Sequence, residues 1–179
     1  PRRQRQMCIR DSGSPNHPKG NGRAIAELFA AQGGFIEGLD IQENEGQRTT
    51  RAILSAGGQC NLIVGDVTDE TFVNTWIEAI ISQHGRLDIL VNNVGQSERV
   101  SPGNVDSDVW KAQIDLNLNS AMMTSRAAIP HMVEQGGGVI LNVSSIAASR
   151  YLGKPQIAYS AAKAALQQYT KTSAIILAR

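Results

Sequence analysis

The feature that most constrains this chain is a regular alternation of helical stretches with short apolar runs. Residues 22–33 are Ala-rich and end at Gly33-Gly34; Phe35 to Leu39 then form an apolar run closed by Asp40. The pattern continues with a helix over 43–56, a strand over 60–64, a helix over 70–84 and a strand over 87–92. Asp106-Ser107 then opens a long helix to about residue 134, followed by a strand over 139–143 and a helix over 156–178. Pro130 predicts a bend or break in the long helix, because proline lacks the N–H that the ladder needs. Strands alternating with helices of this length predict an α/β fold. The expected form is a doubly wound parallel sheet, Rossmann-like, in three α/β/α layers. Ligands of such sheets bind at the carboxyl ends of the strands.

Those strand ends carry chemically expressive residues. Gly20-Asn21-Gly22 stands directly ahead of the first helix, where backbone N–H groups and the helix dipole favour a phosphate; a plain tight turn is the other reading. Asp40 ends the next strand, where a carboxylate would accept bonds from ribose hydroxyls, or cap a turn. With no Arg or Lys within three residues of Asp40, a 2′-phosphate has no local counter-charge, so NAD is expected over NADP. Tyr159 and Lys163 are four residues apart on a helix, hence on one face. A phenol is a poor base at neutral pH, but a neighbouring cation favours phenolate, which suits an alcohol/carbonyl couple. The same spacing also serves an exposed Tyr packed on a Lys stem.

Taken in order, Gly20-Asn21-Gly22, Asp40, Asp66-Val67, Asn92-Asn93-Val94-Gly95, Asn117, Ser144-Ser145 and Tyr159-Ser160-Ala161-Ala162-Lys163 resemble the classical short-chain dehydrogenase/reductase family across residues 13–178. The resemblance implies an NAD(P)-dependent oxidoreductase that interconverts a secondary alcohol and a ketone by hydride transfer. It implies a catalytic set of Asn117, Ser145, Tyr159 and Lys163. Tyr159 would be the general acid/base and Ser145 would orient the substrate oxygen. Lys163 would support the phenol and hold the nicotinamide ribose, and Asn117 would hold a relay water; Asn119 is assigned to surface or packing. Cofactor-binding residues would be Gly13, Gly20, Asn21, Gly22, Asp40, Asp66, Val67, Asn93, Val94, Gly95, Tyr159 and Lys163. Asp66 would reach the adenine amino group and Val67 would pack on its ring, although Asp66 also suits the turn before the next helix. A homo-oligomer, tetramer or dimer, is implied. The alternative is a dinucleotide-binding or oligomerising module without turnover.

The chain departs from that family pattern in places. Gly13 precedes Gly20 by seven residues, a longer glycine turn than usual, and Val94 stands where Ala is usual. Ser145 and Tyr159 are one residue further apart than in some relatives, a difference carried by the loop Tyr151 to Pro155; Tyr151, Leu152 and Gln156 border the substrate side there.

Charge and composition exclude other classes. The formal charge of +1 comes from Arg2, Arg3, Arg5 and Arg10; beyond residue 12 there are 13 basic and 15 acidic residues. A nucleic-acid-binding face is therefore not expected. The tract 1–12 resembles translated adapter sequence and is set apart as non-native or disordered, leaving 13–179 as one dinucleotide-binding domain. Residues 4–10 suit a buried central strand badly because of Arg5 and Arg10, so weak or absent pairing is expected there. The last helix is still running at Arg179, so the fold is expected to be incomplete at both ends. Cys8 and Cys60 make no metal spacing, and His17, His84 and His131 show none either. No apolar run reaches the ~18 residues of a membrane span, and a cytoplasmic protein acting on a small alcohol or ketone is expected.

Overall fold

The computed structural model describes residues 5–8 and 20–178. Five strands form one all-parallel sheet: β1 (Arg5–Cys8), β2 (Phe35–Asp40), β3 (Gln59–Val64), β4 (Ile89–Asn92) and β5 (Val139–Asn142), in the order β3-β2-β1-β4-β5. The order reverses between β1 and β4, which opens the ligand crevice of a doubly wound fold at their carboxyl ends. The helices are α1 (Asn21–Ala31), α2 (Glu43–Ser55), α3 (Glu70–His84), α4 (Ser107–Ile114), α5 (Ser120–Glu134) and α6 (Ile157–Leu177). No helix among the described residues is long and apolar enough to cross a membrane.

Period-two alternation along the strands divides the core between the two faces of the sheet. Leu39 and Leu90 face α3 and α5 and pack with Val73, Trp76, Ile77, Ile80 and Met132. Ile36 and Val91 point the other way, onto Ala26 and Ala30 of α1 and Ile53 of α2. Each such large side chain, once buried, stabilises the fold by roughly 1.5–3 kcal/mol. Local signals fix the helix ends. Asp69 caps α3 by accepting a bond from Phe72 N, and Gly85 ends it in the left-handed conformation at φ 73°, a geometry that costs glycine least.

Two expectations need correction. Arg5–Cys8 pair in parallel with Ile36–Leu39, and Cys8 meets Asn92, so this segment does occupy the central strand. The parallel ladder is made of backbone groups, so residue type alone does not forbid it. The rest of tract 1–12, with Gly13, lies outside the described residues. The second correction concerns the long helix. It runs through Pro130 to Glu134, and its irregularity falls instead at Asp115–Asn119, a wider π turn between α4 and α5.

Strand β4 also starts two residues later than its apolar run. At Leu87 the side-chain amide of Gln135 replaces a strand neighbour: its Oε1 accepts from Leu87 N at 2.9 Å and its Nε2 donates to Leu87 O at 2.7 Å.

Candidate active site

Lys163 lies at one end of the crevice. It lies on the second turn of α6 and is only 3% exposed. Its Nζ donates to Val143 O at 2.9 Å, just past the end of β5. Burial pulls its pKa down from 10.5 to about 8, since desolvation penalises the ammonium. One turn earlier, the half-buried Tyr159 ring has its centroid 5.9 Å from that Nζ. The Tyr159 hydroxyl makes no hydrogen bond among the described residues.

Gly95 brings the loop after β4 against this pair. A Cβ added there would sit 2.8 Å from Asn117 Oδ1 and 3.1 Å from Lys163 Nζ, so only glycine allows that approach without displacement. Asn117, 1% exposed in the π turn, binds the loop in both directions. Its Oδ1 accepts from Gln96 N at 3.1 Å, and its Nδ2 donates to Gln96 O at 3.0 Å and Gln113 O at 2.9 Å. The side chain is thus largely committed to the loop and to Gln113. Asn119 donates to Asp115 Oδ1 at 2.7 Å, in keeping with a packing role.

Ser144 and Ser145 diverge as successive residues of extended chain do. Ser144 Oγ donates to Lys163 O at 3.1 Å, fastening α6 to the end of β5. Ser145 Oγ accepts from Ala147 N at 3.1 Å and caps the short turn Ile146–Ala148. Beneath them Asn92, 6% exposed, is held on all sides. Its Oδ1 accepts from Thr124 Oγ1 at 2.7 Å, and its Nδ2 donates to Asn142 Oδ1 at 2.8 Å. Asn142 in turn donates to Thr170 Oγ1 of α6 at 2.9 Å. This chain of bonds ties β4, β5, α5 and α6 into one support.

The residues expected to meet a nucleotide are held differently. Asp40, Asp66, Val67 and Val94 line one narrow cleft of about 30 Å³ with Gly65 and Leu116. Asp40 is 2% exposed and its Oδ1 accepts from Gln42 N at 2.8 Å. Asp66 is exposed and takes both Thr68 N at 2.9 Å and Thr68 Oγ1 at 2.7 Å through Oδ1. Val67 is buried, while Asn93 and Val94 are half-buried. Gly20 precedes α1 with no side-chain cap, Asn21 is exposed and Gly22 is buried. A hollow of about 660 Å³ between α5, β5 and α6 contains none of these residues.

Gln113 was not singled out in the sequence. It is buried, and its Oε1 accepts from Glu98 N at 3.3 Å, holding the loop that Asn117 also holds. Its place four residues before Asn117 on a helix was the available signal.

This arrangement has close parallels. Over 157 residues the chain is 32% identical to the 3-oxoacyl-[acyl-carrier-protein] reductase FabG of Chlamydia pneumoniae, covering 87% of this chain and 62% of that protein. It is 35% identical over 160 residues to the 2-(R)-hydroxypropyl-CoM dehydrogenase of Xanthobacter autotrophicus, covering 87% of this chain and 64% of that one. The chain therefore spans less than two thirds of the length of either curated relative. A solved 3-ketoacyl-ACP reductase from Sinorhizobium meliloti superposes with a TM-score of 0.86 at 30% identity, over 97% of this chain and 67% of its own. A family model for short chain dehydrogenases matches residues 18–179. With that match over nearly the whole chain and the shared fold, the chain belongs to the short chain dehydrogenase family.

Proposed function

We propose that this chain is the cofactor-binding and catalytic part of an NAD(P)-dependent oxidoreductase that interconverts a secondary alcohol and a ketone. The observation that carries the reading is the buried Lys163 beside Tyr159, anchored on Val143 O next to Ser145. A buried ammonium without a carboxylate partner is costly, and a developing phenolate is the charge it would answer.

The residues fit a dinucleotide. Asp40 supplies an acceptor for ribose hydroxyls, Val67 and Val94 supply apolar walls for an adenine, and Gly20-Asn21-Gly22 opens α1 with no side-chain cap on its backbone N–H groups. Asp66 keeps a turn with Thr68 through one oxygen, which leaves its other oxygen to meet an amino group. The absence of Arg or Lys within three residues of Asp40 favours NAD over NADP.

When bound, the nicotinamide supplies the hydride acceptor or donor. In oxidation, Tyr159 takes the hydroxyl proton of the alcohol. Ser145 donates a hydrogen bond to the substrate oxygen and holds it in line. Lys163 stabilises negative charge on the phenol oxygen and donates to the nicotinamide ribose. Gly95 and Asn117 keep Lys163 in place from below. In reduction Tyr159 returns the proton to the carbonyl oxygen. The parent protein is read as a cytoplasmic homo-oligomer, since the family resemblance implies association.

The test is Tyr159→Phe in the protein that contains this chain. Turnover should fall by roughly 10²–10⁴-fold, while the rise in Tm on adding NAD+ is retained. Unchanged turnover would remove Tyr159 from the chemistry.

A further inference from the structure

Two loops frame the open side of the site, one after β4 and one after β5, and they are stitched together. Val100 N donates to Pro155 O at 2.8 Å, Ile157 N donates to Val100 O at 3.4 Å, and Val100 pairs in parallel with Gln156. The pairing sets Arg99 alongside Pro155 and so beside Lys154. Gln156 is three residues before Tyr159, so this stitched rim borders the reacting end of the crevice.

The rim carries more positive than negative charge. Arg23, Arg48, Arg86 and Arg126 each have a carboxylate partner, with Arg126 held by Glu70. Arg99, Arg150 and Lys154 are exposed and, like Arg51, Lys111 and Lys171 elsewhere, have no ion pair among the described residues; what sets the three apart is that they share one rim. The acids of the two loops, 93–106 and 149–156, are Glu98, whose backbone is held down by Gln113, and Asp106, whose carboxylate caps α4 by accepting from Asp108 N at 2.7 Å. Between the cations stand two uncovered apolar side chains, Tyr151 at 80% and Leu152 at 42% exposure. A net-positive, partly apolar mouth attracts a molecule with an apolar body and an anionic end.

We infer that Arg99, Arg150 and Lys154 select a hydroxy or oxo substrate that carries an anionic group, carboxylate, sulfonate or phosphate, at the end away from the reacting carbon. The inference rests on the oxidoreductase reading above. The apolar body packs on Tyr151 and Leu152, and the anion is steered by three cations that have no competing partner. The hydride step itself is unchanged: ketone, reduced cofactor and a proton give alcohol and oxidised cofactor.

The experiment compares levulinate with methyl levulinate, the same ketone with and without its charge, in the protein that contains this chain. The ratio of kcat/KM, acid over ester, should exceed one. It should fall by about tenfold in the triple variant Arg99→Ala, Arg150→Ala, Lys154→Ala, and should shrink as salt is raised. A ratio near one in the unaltered protein, or one that the triple variant leaves unchanged, overturns the inference while the oxidoreductase reading stands. If neither ketone is turned over, the oxidoreductase reading fails for these probes, and saturation-transfer NMR with NADH present decides the rim. Binding of levulinate over its ester that is lost in the triple variant supports the rim; equal binding of both overturns it.

Discussion

The two ends of the crevice solve the same problem in opposite ways. At the catalytic end, Asn92, Asn117, Ser144 and Lys163 are fixed by side chains and carbonyls from four different elements, largely out of water. At the proposed nucleotide end, Asp66 is exposed and fixed by Thr68, two positions along the chain, and Asp40 likewise takes Gln42 N two positions along among its contacts. The first is a long-range network in which each bond depends on the others. The second is a set of local turns that each form alone. Catalysis needs atoms held to fractions of an ångström, whereas an adenosine needs mainly a slot of the right shape and one well-placed acceptor.

The sharpest way to break this contrast is to remove one hydrogen-bonding side chain from each end. Asn92→Ala leaves Thr124 and Asn142 without a shared partner and should destabilise the fold by roughly 2–3 kcal/mol, lowering Tm by about 5–10 °C. Asp66→Ala removes only a local, exposed turn bond and should cost about 0.5–1 kcal/mol. Equal losses in urea melts would show that the two ends do not differ in this way.

A smaller effect separates them by pH. Burial holds the folded-state pKa of Lys163 at about 8, below the ordinary 10.5. Below pH 8 the folded protein carries a buried ammonium, at a cost to stability. That cost is relieved as pH rises from about 8 towards 10.5, where the unfolded chain binds more protons. The unaltered chain should therefore gain on the order of 2 kcal/mol relative to Lys163→Met across that window. Parallel stability curves for the two would place the cost elsewhere. The last test belongs to the proposed nucleotide end: Asp40→Ala should bring the Tm rises with NAD+ and NADP+ closer together. An unaltered ratio of the two affinities would remove Asp40 from cofactor choice.

The same contrast explains what could be read in the sequence. Local signals were legible: Asp69 and Gly85 bracket α3, and Gly33-Gly34 separates α1 from β2, each through the conformational preference of one or two residues. The nearness of Tyr159 and Lys163 was legible because they repeat at helical spacing. Glu37 was not. It is 2% exposed in β2, bonded by His84 Nε2 at 2.7 Å and Asn61 Nδ2 at 3.0 Å, partners that no local pattern could have supplied. The π turn at Asp115–Asn119 was missed for a related reason. Pro130 is a conspicuous breaker, but what widens the helix is the place where Asn117 must reach Gln96, a tertiary demand without a local mark. Arg5–Cys8 misled in the opposite sense, since charged residues argued against a central strand whose ladder is written in the backbone.

That central strand also sets a timetable. Cys8 lies opposite Leu39 on one side and Asn92 on the other. During synthesis, at roughly 5–20 residues per second, the second neighbour leaves the ribosome several seconds after the first. Throughout that interval β1 can complete only one of its two ladders. The nascent chain then presents a half-finished sheet with one open edge, the state in which a chaperone, or another copy of the chain, competes most directly with folding.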